Sequence, residues 1–184
     1  MSSTSDELRR LAEKADTSWP PANETLWRNV IDFAAAHPDA IAKMTRAPYL
    51  LGLAWYNCSA STPGRNEMSE KWFKAALERK PDDWHAVLYL GHLAFDRGDF
   101  QTALEYFSLI PSAAFAGDDQ EWRDVKVKEL CVCCHFHLGH PEAVQATFRE
   151  YLEMLGRSEG TSAVAAEELP QLLVLAARAD RGVH

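Results

Sequence analysis

The sequence predicts an all-α protein built from paired helices. Three observations carry that prediction. Apolar residues recur three and four positions apart over most of the 184 residues, which is the spacing of one helix face. No segment alternates apolar and polar residues for long, so a half-buried strand has no pattern to form on. One set of landmarks returns along the middle of the chain: a small residue, an aromatic, a glycine turn, then a second aromatic. A composition of 47% hydrophobic and 25% charged residues suits a folded globular chain. A chain of this length buries roughly 70% of its unfolded surface, enough for a core without disulfides or metal.

The elements follow in order. Asp6 to Asp16 reads as a short amphipathic helix, with Leu8, Leu11, Ala12 and Ala15 on one face and Ser5 as its N-cap. Pro20-Pro21 interrupts it, because neither residue can continue a helix. Asn23 then caps a second helix that turns Leu26, Val30, Ile31, Phe33 and Ala34 inward and stops near His37-Pro38. Asp39 to Thr45 adds one or two turns, and residues 1–44 together form an N-terminal cap.

Residues 45–156 hold three similar segments. The first, 45–83, carries Leu51-Gly52, Trp55-Tyr56, a loop from Ser59 to Asn66, Trp72-Phe73, Ala76-Leu77 and Pro81. The second, 84–117, carries Leu90-Gly91, Ala94-Phe95, Gly98-Asp99-Phe100, Ala103, Phe107 and Ile110. Pro111 should cut its second helix short. The third, 125–156, carries Cys131-Val132, His135-Phe136, Gly139, Val144, Phe148 and Tyr151, so Cys-Val stands where the others have Leu-Gly. Between the second and third lies an insertion around Pro111 to Asp124. Residues 157–184 supply a C-terminal capping helix and tail, with Leu169, Leu172, Leu173, Leu175 and Ala176 as its apolar face and Pro170 near its start.

These landmarks resemble the tetratricopeptide repeat. The resemblance covers roughly 110 residues, in about three repeats, and is strongest in the middle one. It implies a right-handed solenoid of helical hairpins with capping helices at both ends. The physical reasons stand beside the name. Small residues such as Gly91 and Ala103 let two helices approach closely. Gly98 permits the left-handed turn that ends the first helix. One hairpin cannot bury its own apolar face, so hairpins must stack.

Charge and motif content narrow the function classes. Nineteen Lys and Arg against 27 Asp and Glu leave −8. That balance disfavours binding to nucleic acid or to an anionic membrane. No apolar run is long enough to span a bilayer, and the N-terminal residues do not read as a secretory signal. Cys58, Cys131, Cys133 and Cys134 are badly spaced for a disulfide framework, which points to the cytoplasm. Phosphate-binding glycine loops, the nucleophile elbow and the HExxH zinc motif are absent, so the expectation is a protein without catalysis or cofactor.

The resemblance implies a concave groove lined by the first helix of each repeat. The corresponding positions are Tyr49, Leu53, Tyr56 and Asn57, then His85, Leu88, His92, Phe95 and Asp96, then Lys126, Glu129, Cys133, Phe136 and His137. Members that capture an acidic chaperone tail use Lys, Arg and Asn there. Here Tyr49, Leu53, Leu88 and His92 stand instead, and an apolar or amphipathic segment of a partner protein fits better. Tyr56, Phe95 and Phe136 would be its anchors. An alternative reading folds the C-terminal helix back over the groove. Two biological roles suit a small acidic chain of three repeats: a bacterial secretion chaperone, or an immunity protein that masks a toxin. A third reading pairs two copies through exposed caps.

Two further features compete with the groove. Cys133, His137 and His140 sit at helical spacing and are conceivable metal ligands, or with the neighbouring cysteines a redox sensor, although buried cysteine more often packs as a small hydrophobe. Residues 84–124 hold seven acidic residues and two basic ones, with Asp118, Asp119, Glu121 and Asp124 clustered in the insertion. Such a patch is either a solvated face or a surface that steers a basic partner.

Overall fold

The computed structural model describes residues 3–17, 24–116, 122–157 and 169–181, with Arg157 described by its backbone. Every regular element among them is a helix. In chain order they are α1 (Thr4–Asp16), α2 (Glu24–Ala36), α3 (Pro38–Ala42), α4 (Ala47–Tyr56), α5 (Arg65–Arg79), α6 (Trp84–Asp96), α7 (Phe100–Leu109), α8 (Trp122–His137), α9 (Pro141–Arg157) and α10 (Leu169–Asp180). The chain divides between Leu90 and Gly91 into two compact units. Asn23, Asp118, Asp119, Glu121 and residues 158–168 of the expected C-terminal cap lie outside the described residues.

In the first unit α1 packs on α2, α3 and α4, and α4 pairs with α5. The cap of α1 is Ser3, not Ser5. Its hydroxyl accepts from the Asp6 backbone N–H, and the Asp6 carboxylate accepts from the Ser3 backbone N–H, both at 3.2 Å. That reciprocal box satisfies two otherwise orphaned amides, which Ser5 inside the first turn could not do. Leu8, Ala12 and Ala15 are buried as expected. On α2 the buried positions are Trp27, Val30 and Ala34, while Leu26, Ile31 and Phe33 are half-buried. The close pair is α4 with α5. A Cβ on Gly52 would lie 2.6 Å from the Phe73 ring, so the missing side chain sets the helix spacing. The Ser69 hydroxyl donates to the Gly52 carbonyl at 2.9 Å within that contact. Trp55, Trp72 and Trp84, at landmark positions expected to be core, are only half-buried.

The second unit repeats these devices. A Cβ on Gly91 would overlap the Phe107 ring, as on Gly52 with Phe73. α6 ends at Gly98 with φ +76°, and Asp99 N–H bonds back to the Ala94 carbonyl at 2.9 Å. α8 ends the same way at Gly139 with φ +70°, and His140 N–H bonds to the His135 carbonyl at 2.9 Å. Both are the six-to-one closure that a left-handed residue allows. α7 stops at Leu109, two residues before Pro111. α8 begins at Trp122, three residues before the expected start of the third repeat. Val132, Val144, Phe148 and Tyr151 form a core with Leu172, Ala176 and Ala179 of α10. Gln145 holds α10 in place by donating to the Ala176 carbonyl at 2.7 Å, and Lys128 pairs with Glu150 across α8 and α9 at 2.6 Å.

Candidate functional site

The residues expected to line a groove fall into both units, and each unit is built differently. In the first unit they come from α4 and the first half of α6. Tyr49, Leu53 and Leu88 are buried, at 5%, 6% and 1% exposure. Tyr56, Asn57 and His85 are half-buried. Tyr89, which the sequence reading passed over, joins them. Its ring stacks on Phe73 at 5.2 Å and meets Tyr56 edge-on at 5.1 Å. Tyr49 approaches His85 edge-on at 5.9 Å. Arg46 lies over Tyr49 at 5.5 Å and Arg65 over Tyr56 at 5.4 Å. The result is an aromatic cluster with its base buried, its tyrosine edges half-open and two guanidinium groups at its margin. Such rings are rigid and amphipathic, and suit contact with an apolar chain that also carries hydrogen-bonding groups. Residues 85, 89 and 92 follow helical spacing, so the signal for Tyr89 was present in the sequence.

In the second unit the expected residues separate into two groups. Phe95 is half-buried and meets Phe100 edge-on at 5.5 Å, and His137 stacks on Phe100 at 4.3 Å. Asp96 beside them is exposed. The second group is polar. Lys126 Nζ bonds to Glu129 at 2.5 Å, with Glu129 only 6% exposed. Burial pushes the His92 imidazole down to about 4, and the nearby positive charges of Lys126 and Arg123 add to that. His92 is therefore neutral at physiological pH.

Phe136 and Cys133 lie elsewhere. Phe136 belongs to the core that α10 completes, Cys133 packs against that core, and Arg178 of α10 lies over the Phe136 ring at 5.4 Å. α10 must bury Leu172, Ala176 and Ala179, and these two residues help to receive them. Phe136 is thus an internal packing residue of this unit and not an open anchor. Asp124, expected within an acidic surface patch, is buried at 9% exposure.

The Cys/His stretch gives little support to metal or redox chemistry. Among the described residues no three or more His, Cys, Asp or Glu side chains are grouped to hold a metal ion. His137 of the expected trio is engaged with Phe100, and His140 approaches His135 at 5.9 Å. Burial pushes the thiols of Cys131 and Cys134 up to about 12, and raises that of Cys58. A protonated thiol is a poor nucleophile and a poor ligand.

No described helix is long and apolar enough to cross a membrane. The chain matches no family model and no curated protein.

Proposed function

We propose that the chain is a tetratricopeptide-like helical-repeat adaptor that holds an apolar or amphipathic segment of a partner protein and carries out no chemistry of its own. The observation behind this is the aromatic cluster of the first unit: Tyr89 and His85 meet the buried rings of Phe73 and Tyr49, Tyr56 meets Tyr89, and all three remain half-open. A core would close over such rings, and a purely solvated face would not collect them. Phe95 and Phe100 give the second unit a smaller face of the same kind. The repeat geometry is supported by two pairs of equivalent features, glycine against phenylalanine at Gly52–Phe73 and Gly91–Phe107, and the matching helix ends at Gly98 and Gly139. A cytoplasmic setting goes with this reading, since the four cysteines, which form no disulfide among the described residues, suit a reducing compartment.

The test is affinity capture from a native lysate with wild type and with Tyr56→Ala/Phe95→Ala. Both proteins must first show the same circular dichroism and melting temperature. A partner retained by wild type and lost by the double variant supports the reading. A partner retained equally by both overturns it.

A further inference from the structure

We infer that the first unit carries a second site, on the opposite side of α4 from the tyrosine cluster, which takes a small apolar molecule bearing a single carboxylate. On α4 residues 49, 53 and 56 share one face, and 51 and 55 share the other, as a 100° rotation per residue requires. Tyr49, Leu53 and Tyr56 occupy the first face. Leu51 and Trp55 look into a cavity of about 430 Å³ bounded by α2, α3, α4 and α5. Ile31, Ile41, Met68 and Trp72 complete its apolar wall. That volume lies within the range of small-molecule sites, at the low end.

Trp55 and Trp72 are both half-buried and both line the cavity. Ala35, Pro38, Ala42 and Arg79 on its rim are exposed, so the cavity is open to a ligand from solvent. Among the described residues of the wall, Arg79 at the end of α5 is the one ionisable side chain. It donates to the Met44 carbonyl at 2.5 Å, which anchors the side chain beside the cavity. It forms no ion pair among the described residues. An apolar chamber with one anchored guanidinium is complementary to an apolar body with one anionic head. The size favours a small ligand at the lower end of that range. The inference does not rest on the adaptor reading, because none of the residues assigned to the partner-binding faces lines this cavity.

The experiment is calorimetric titration of the full chain with decanoate, decan-1-ol and decylamine, each below its aggregation concentration. Decanoate should bind one to one. Decan-1-ol should bind about tenfold more weakly, because it keeps the chain and lacks the charge. Decylamine should not bind. Arg79→Gln should reduce decanoate to the level of the alcohol and leave the alcohol unchanged. Ala35→Trp, at an exposed position on the cavity wall, should abolish binding of both while the melting temperature holds. Equal affinity for acid and alcohol, no saturable binding, or full binding by Ala35→Trp would each overturn the assignment. So would tighter binding of a short peptide ending in a free leucine carboxylate, which would move the anion from a small molecule to a protein terminus. Loss of decanoate binding would leave partner capture by Tyr56 and Phe95 untouched, so the two readings fail separately.

Discussion

His92 shows how burial changes what one side chain can do. Its imidazole is half-buried, edge-on to Phe107 at 6.2 Å, with Lys126 and Arg123 nearby. All three influences oppose protonation, and the folded-state value falls from 6.5 to about 4. The unfolded chain therefore takes up a proton near pH 6.5, while the native state holds off until about 4. Stability is full above pH 6.5 and falls as the pH drops through that interval. The loss due to His92 should reach roughly 3 kcal/mol at pH 4. His92→Asn removes the titration, so denaturant unfolding at pH 7, 6, 5 and 4 should give a shallower acid slope than wild type. Parallel slopes would mean that the native imidazole titrates normally.

At the scale of the helical hairpin, α6 and α7 depend on two glycines for different reasons, and the difference is measurable. Gly91 makes room for Phe107, whereas Gly98 turns the chain at φ +76° with open space around it. Gly91→Ala should cost about 1–3 kcal/mol by overpacking. Gly98→Ala should cost about 1 kcal/mol through the backbone alone. Phe107→Leu separates them. It should offset part of the Gly91→Ala loss, giving a coupling of about 1 kcal/mol in a double-mutant cycle, and add independently to Gly98→Ala. Coupling of Phe107→Leu to both glycines, or to neither, would contradict this geometry.

These hairpin features were the legible part of the sequence, because glycine turns and glycine-aromatic contacts are local and depend on spacing. The same holds for Pro111, which ends α7 as its missing N–H requires. Burial around each helix was less legible. Leu53 and Leu88 were expected on an open face and are buried, while Tyr89 beside Leu88 is the half-open ring. One position is a rotation of 100°, and an all-round apolar helix such as Trp84–Asp96 offers no polar face to fix the phase. Phe136 and Cys133 were misplaced for a different reason. Their environment depends on α10, whose Leu172, Ala176 and Ala179 lie some 36 to 46 positions away and have no local signature. The apolar cavity was invisible in the same way, since Ile31, Trp55 and Arg79 meet only through tertiary packing.

Across the whole molecule, the charge of −8 and the aromatic faces point to different ways of holding a partner, and ionic strength decides between them. An acidic surface attracts a basic partner through water, over a range set by the Debye length, which falls from about 10 Å at 0.1 M salt to about 3 Å at 1 M. Such attraction mainly speeds encounter and fades with salt. Contact with half-buried tyrosine and phenylalanine rings buries apolar area and is insensitive to salt over that range. Of the acidic cluster in the insertion only Asp124 lies among the described residues, and it is buried. If the rings hold the partner, as proposed, a captured partner should stay on the immobilised protein when the wash is raised from 0.1 M to 0.5 M KCl. It should elute instead with a mild nonionic detergent or with an excess of its own apolar segment. A partner released by 0.5 M KCl and untouched by detergent would assign the binding to the acidic surface, and Tyr56→Ala/Phe95→Ala would then leave capture intact.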